Sequence, residues 1–188
     1  RDGGDTLEGG NGTDTVTYAS SGAGVTVDLT VLTAQGGAGH GLGDVLSSIE
    51  NLTGSTSADT LSGSSAVNVI LGGDGDDVIE GRGGADTLNG GNGTDAVSYA
   101  SSALGVTVDL NLATAQGGTG DGTGDLLANF ENLTGSAQGD TLRGTTGANV
   151  LLGGGGNDLL VGYGGADVLN GGDGIDRVSY ASSGMGIV

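Results

Sequence analysis

Aspartate recurs in this sequence on a nine-residue beat. Asp77, Asp86 and Asp95 follow one another at that spacing, and so do Asp158, Asp167 and Asp176. Each is the sixth residue of a nonapeptide G-G-x-G-x-D-x-U-x, where U is a large aliphatic residue. Gly72-Gly73-Asp74-Gly75-Asp76-Asp77-Val78-Ile79-Glu80 is one full copy. The nonapeptides starting at Gly9, Gly90, Gly153 and Gly171 fit as well, which adds Asp14 to the series. Those starting at Gly81 and Gly162 keep the fourth-position glycine and the aspartate. Degenerate copies start at Gly54, Gly63, Gly135 and Gly144, and hold Asp59, Asn68, Asp140 and Asn149 at the sixth position. Residues 1–8 are the tail of another, carrying Asp5. A periodic row of carboxylates suits the binding of hard cations through oxygen. Without cysteine there is no thiolate metal site and no disulfide.

Other chemistries fit these residues poorly. Adjacent acids such as Asp76 and Asp77 could suggest glycosidase chemistry, but the phase accounts for Asp77 as a turn ligand and Asp76 as a turn side chain. The Ser-rich runs beside Tyr18, Tyr99 and Tyr180 have no His or Lys partner, so nucleophilic catalysis is not expected. His40 stands alone in a glycine-rich run and is expected to face solvent. No enzyme is read from this sequence.

Composition narrows the class further. Of 188 residues 45 are Gly, none is Pro, and aromatic residues make up 3%, too few for an ordinary globular core. Acidic residues number 23 against four Arg and no Lys, for a net charge of −19. Nucleic acid and anionic membrane surfaces need clustered basic residues, so neither is expected as a partner. No apolar run is long enough to span a membrane. Acidic, glycine-rich chains are often disordered, but disorder would not keep the eighth position aliphatic in phase from Leu7 to Val178.

The elements that must position the aspartates follow from the same nonapeptide. Its last three residues suit a short strand with the aliphatic side chain inward and its neighbours outward. Its first six suit a turn, since glycine accepts positive φ and close backbone approach. Two nonapeptides then make one flat coil, and stacked coils lie about 4.8 Å apart. Equivalent turns come to lie over one another, offering carboxylates and carbonyls to calcium, which takes about six to eight oxygens. Asp59, Asp77 and Asp95 are expected to stack along one edge and Asn68 and Asp86 along the other. In the next copy Asp140, Asp158 and Asp176 stack, with Asn149 and Asp167 opposite. The turns of Asp77 with Asp95 and of Asp158 with Asp176 carry full glycine sets. Their further donors are the carbonyls of Gly73, Gly75, Gly91 and Gly93, and of Gly154, Gly156, Gly172 and Gly174. Asn68 and Asn149 predict weaker sites, because an amide replaces a carboxylate.

A longer period of 81 residues overlies the short one without insertion or deletion. Gly9-Gly10-Asn11-Gly12-Thr13-Asp14 returns at Gly90 and Gly171, and Tyr18-Ala19-Ser20-Ser21 at Tyr99 and Tyr180. A fixed period of this kind marks a repeat architecture. It divides the chain into the end of a nonapeptide block (1–17), an irregular β interval (18–53), a calcium-binding block (54–98), a second interval (99–134), a second block (135–179) and the start of a third interval (180–188). Each interval carries a strand-like run, Val25-Thr26-Val27-Asp28-Leu29 or Val106-Thr107-Val108-Asp109-Leu110, and later a second apolar run. The intervals are expected to continue the solenoid with longer coils; the competing picture is a compact loop packed on it. Arg1 lies inside a repeat and Val188 inside a strand-like run, so a segment of a longer chain is expected.

The nonapeptides resemble the hemolysin-type calcium-binding repeats of repeats-in-toxin (RTX) proteins. The resemblance implies a right-handed parallel β-roll, all-β, with Ca²⁺ in the turns, and type I secretion to the outside of a bacterium. With three stacked sites in each copy, about six ions or more would bind and offset much of the negative charge. A thin aliphatic ladder facing the backbone entropy of so many glycines predicts folding coupled to calcium. Two function classes remain open. One is a structural segment of a cell-surface adhesin, surface layer or extracellular filament, able to associate with neighbouring repeats or with itself. The other is an accessory export and folding module of a secreted enzyme or toxin.

Overall fold

The computed structural model describes residues 3–180; the third interval beyond Tyr180 lies outside the described residues. Strands form where the nonapeptide ends in x-U-x. β6 (Thr60–Ser62), β8 (Val78–Glu80), β14 (Thr141–Arg143) and β16 (Leu159–Val161) are three-residue strands of this kind, each with its central side chain buried. β2 (Thr15–Thr17) and β10 (Ala96–Ser98) follow the same rule, β1 (Thr6–Glu8) has its central Leu7 half-buried, and β18 (Arg177–Val178) is shorter. Four strands are longer than the repeat predicts. β7 (Val69–Asp74), β9 (Thr87–Asn92), β15 (Val150–Gly155) and β17 (Val168–Asp173) run on through the Gly-Gly pair of the next turn. They do so because two full glycine turns lie one on the other and their backbones pair, Gly73 with Gly91 and Gly154 with Gly172.

All the strand pairs among the described residues are parallel. Within a block, strands one coil apart pair in register, Ile70 beside Leu88 and Leu61 beside Ile79. Successive strands fall in alternate sheets, β5 (Asn51–Thr53), β7 and β9 in one, β6, β8 and β10 in the other. The aliphatic eighth positions thus face each other across a narrow interior. Leu52, Leu61, Ile70, Ile79, Leu88, Val97, Leu133, Leu142, Leu151 and Leu160 are wholly buried. This is the expected β-roll, all-β apart from the short 3-10 turn Gly39–Gly41 among the described residues. No helix among them is long and apolar enough to cross a membrane.

The intervals continue the stack instead of folding away from it. β3 (Thr26–Asp28) pairs with β6, and β11 (Thr107–Asp109) with β14. β4 (Val45–Ser47) pairs with β1, β12 (Leu126–Ala128) with β9, and β13 (Asn132–Thr134) lies on β10. An interval spends 36 residues to climb one level, where a nonapeptide coil spends 18. The surplus is packed by its own aromatic and polar groups, Tyr99 and Phe130 among them. One sheet runs unbroken through the second interval, from β3 to β17; the other ends at β12 and restarts at β11. Since the 81-residue copy holds an odd number of nonapeptides, equivalent strands alternate between sheets. β7 lies in the five-stranded sheet, and its counterpart β15 in the seven-stranded one.

Arg82 ties the first interval to the block beyond it. Its guanidinium donates to both Asp28 oxygens, at 2.7 and 2.8 Å, to Thr30 Oγ and to the Gly63 carbonyl. Burial opposes the charged form of Asp28, yet the hydrogen bonds from Arg82 and Thr30 hold it down to about 2. The second copy has Tyr163 in place of Arg82, and there Asn111 Nδ2 donates to the equivalent Gly144 carbonyl at 2.6 Å.

Shortening one rung of the aliphatic ladder leaves a cavity that the stacked coils cannot close. Ile79→Ala, at a fully buried position, is expected to lower stability by about 2–5 kcal/mol. Urea unfolding in saturating calcium measures it, and a loss under about 1 kcal/mol would mean that the interior collapses freely around the gap.

Candidate metal-binding turns

At the turns of Asp77, Asp86, Asp95 and Asp158 the sixth-position carboxylate is divided between two duties. Its Oδ1 accepts the amide of the sixth residue one coil away. Asp59 N–H donates to Asp77 Oδ1, Asp77 N–H to Asp95 Oδ1 and Asp140 N–H to Asp158 Oδ1, each at 2.8 Å. Asp158 N–H reaches Asp176 Oδ1 at 3.0 Å, while Asn68 reaches Asp86 and Asn149 reaches Asp167. The stacking expected from the nonapeptide phase is therefore present, with the carboxylate as its fastener. The Oδ2 atoms of Asp14, Asp77, Asp86, Asp95 and Asp158 are buried and accept no hydrogen bond.

A first-position glycine sits where these orphan oxygens point. A Cβ at Gly72 would strike both Asp77 Oδ2 and the Gly90 carbonyl oxygen; at Gly153 it would strike Asp158 Oδ2 and the Gly171 carbonyl. A carboxylate oxygen and a carbonyl oxygen thus converge without a donor between them. The second and fourth glycines take φ values only glycine adopts readily, such as +122° at Gly73 and +151° at Gly93. Gly75, Gly91, Gly154, Gly156, Gly172 and Gly174 also have positive φ. Their carbonyls line up from coil to coil, Gly73 O against Gly91 and Gly154 O against Gly172. The first-position carbonyl is a donor that the repeat pattern did not single out.

The degenerate turns are built differently. Asp59 accepts the Ser55 amide on Oδ2 at 2.5 Å, and on Oδ1 the Ser55 hydroxyl and the Val25 amide. Asp140 is satisfied in the same way by Ser136 and Val106. The Asn68 amide accepts from Ser64 N–H and donates to the Glu50 carbonyl at 2.6 Å; Asn149 does likewise with Thr145 and Glu131. Asp5 is exposed, and Asp167 and Asp176 are half-buried.

Sequence phase missed the interval residues that keep the ladder running. Glu50 and Glu131 accept the Asp14 and Asp95 amides at 2.8 Å in the role of a sixth-position aspartate. They lie 36 residues on, so the coil period could have found them. Asp44 and Asp125 play the same part for Asp5 and Asp86, but 39 residues on, out of phase and invisible to it. Each of these two aspartates also accepts a tyrosine hydroxyl at 3.0 Å, from Tyr18 and Tyr99. His40 is half-buried, its amide donating to Ser21 Oγ.

The electrostatics follow the burial. Desolvation pushes the Asp77 and Asp86 carboxyls up to about 7, partly opposed by the amides they accept and reinforced by neighbouring carboxylates. Asp95 and Asp158 are raised too, first by burial. Asp125 rises to about 6 through burial, restrained by the Asp86 amide and the Tyr99 hydroxyl. Among the described residues no three acidic or histidine side chains gather at one point. A donor set here must combine one or two carboxylates with main-chain carbonyls. That combination, with buried anionic oxygens lacking any donor, fits a hard oxygen-seeking cation and no softer one.

The family model of the RTX calcium-binding nonapeptide repeat matches residues 1–20, 47–73, 62–97, 134–162 and 143–178, together more than half of the chain. None of the curated proteins matches it.

In the metal-free chain a carboxyl raised above its unfolded value opposes folding at alkaline pH. The penalty fades as pH falls through about 7 and is gone near the unfolded value of about 4. Circular dichroism in chelator should therefore show more β signal at pH 5 than at pH 8. In calcium the midpoint should move to higher concentration on acidification, as protons compete for Asp77 and Asp86. A metal-free signal that falls between pH 8 and pH 5 would show that these carboxyls are not the desolvated groups described.

Proposed function

This chain belongs to the RTX calcium-binding nonapeptide-repeat family, whose repeats are typical of secreted proteins. We propose that it is a structural segment of a bacterial surface protein, an adhesin, surface layer or extracellular filament, which folds when it meets calcium outside the cell. The observation that carries the reading is the set of five buried carboxylate oxygens without donors, at Asp14, Asp77, Asp86, Asp95 and Asp158, in a chain of net charge −19. Calcium supplies these turns with positive charge and a coordination shell that carboxylate and carbonyl oxygens can fill.

The chain's own residues do the rest. Asp77 and Asp95, with Asp158 and Asp176 in the next copy, hold adjacent coils by one oxygen and present the other as a ligand. Asp86 and Asp167 do so on the opposite edge. The glycines let the carbonyls of successive turns approach. With low calcium inside the cell, the oxygens would keep their water and the chain would stay open for export. Outside, each occupied turn fixes two coils at once. A copy that alternates between sheets can be added again without changing the cross-section, which suits extension better than a site of fixed geometry. The tyrosine-bridged and serine-capped coils hold the register between the calcium-dependent stretches.

Calcium titration of the isolated chain, followed by far-ultraviolet circular dichroism with magnesium as control, tests this. A cooperative gain of β signal near 10⁻⁴–10⁻³ M calcium is expected, reversed by chelator and not produced by magnesium. A full β signal in chelator would contradict calcium-coupled folding.

A further inference from the structure

Where a nonapeptide block gives way to an interval, the next coil has no glycine turn, yet the stacked arrangement persists. Asp95 is wholly buried and its Oδ2 accepts no hydrogen bond. The residue above it is Glu131, whose Oε2 accepts the Asp95 amide at 2.8 Å, as Asp95 itself accepts that of Asp77. The place of the first-position glycine carbonyl is taken by Asn129. A Cβ at Gly90 would strike the Asn129 carbonyl oxygen and Asp95 Oδ2 together, as one at Gly72 strikes the Gly90 carbonyl and Asp77 Oδ2. The first interval repeats the arrangement. Glu50 accepts the Asp14 amide, Asp14 Oδ2 is buried without a donor, and the Ser48 carbonyl oxygen meets the Gly9 position. The backbone is also alike, with φ of 54° at Ser48 and 55° at Asn129.

We propose that each of these junctions is a calcium site of its own, formed by the Asp95 and Glu131 carboxylates with the Asn129 carbonyl, and by Asp14 and Glu50 with the Ser48 carbonyl. At the Gly90 position a carboxylate oxygen without a proton donor meets a carbonyl oxygen, and a second carboxylate closes the Asp95 amide. The Asp14 junction has the same parts, and this calls for a hard divalent cation. The interval then contributes a ligand of its own, and calcium bridges block to interval as well as turn to turn. Each Glu would be a ligand in a segment outside the nonapeptide pattern. The proposal rests on the calcium reading of the nonapeptide turns.

Calcium bound per chain is counted by equilibrium dialysis for the wild type, for Glu50→Gln/Glu131→Gln and for Asp77→Asn. Glutamine retains an oxygen for the Asp14 and Asp95 amides while removing the charge. The double variant is expected to reach the wild-type β signal in saturating calcium but to hold one ion fewer for each junction, and Asp77→Asn to lose its own. An unchanged count in the double variant, with a fall in Asp77→Asn, overturns the junction sites and leaves the turn sites standing. A wild type that binds no calcium, or an Asp77→Asn count equal to wild type, defeats the turn reading and this proposal with it. Should the double variant fail to fold, anomalous scattering from wild-type crystals grown in calcium decides. A peak between Asp95 and Glu131 supports the site; peaks at Asp77 with none there overturn it.

Discussion

Coils stack in this protein through buried sixth-position carboxylates, and at Asp14, Asp77, Asp86, Asp95 and Asp158 that burial leaves one oxygen of the pair without a partner. One oxygen closes the amide of the neighbouring coil, as Asp77 does for Asp59. The other stands in a dry site facing a main-chain carbonyl, with nothing to donate to it. An unpaired charge in such a place is among the most unfavourable features a fold can carry. The short strands, the thin aliphatic ladder and the glycine turns all presuppose that this deficit is met. In the function proposed above calcium meets it from outside, and the same residues that build the coil would then make it conditional.

Other coils satisfy the same position with hydrogen bonds. Tyr18 and Tyr99 donate hydroxyl hydrogen bonds to Asp44 and Asp125. Ser55 and Ser136 give amide and hydroxyl to Asp59 and Asp140. Asn68 and Asn149 replace the charge altogether, donating to a carbonyl where the other turns have only acceptors. The second and fourth glycines are largely missing from the serine- and asparagine-closed turns, where a hydrogen-bond donor reaches the sixth-position side chain. Degeneracy in the repeat is thus a change in how the buried oxygen is satisfied.

Much of this was legible in the sequence because a stacked solenoid is nearly one-dimensional. The phase of Leu61, Ile70, Ile79 and Leu88 fixed the strands, the inward face and the coil length, and with them the stacking of Asp77 on Asp95. What could not be read was set by contacts across irregular lengths. Asp125 joins the ladder at a 39-residue offset that no period marks. The use of 36 residues for one coil follows from how Tyr99 and its neighbours fill the interior, and periodicity alone would allow two coils. The strand extension through Gly73 and Gly91 depends on two full glycine turns being stacked, a property of the pair and not of either nonapeptide.

The central claim is that the metal requirement is local, residing in buried carboxylates, and is not a general repulsion among nineteen net negative charges. Sodium chloride separates the two, because about 1 M salt screens exposed charges to within about 3 Å but reaches buried pairs far less. The direct measurement is the β signal of the chain in chelator as sodium chloride is raised to that concentration, compared with millimolar calcium at low salt. The account predicts that salt leaves the chain largely unfolded while calcium folds it. Folding by salt alone would contradict it, and would place the requirement in the charge of the chain as a whole.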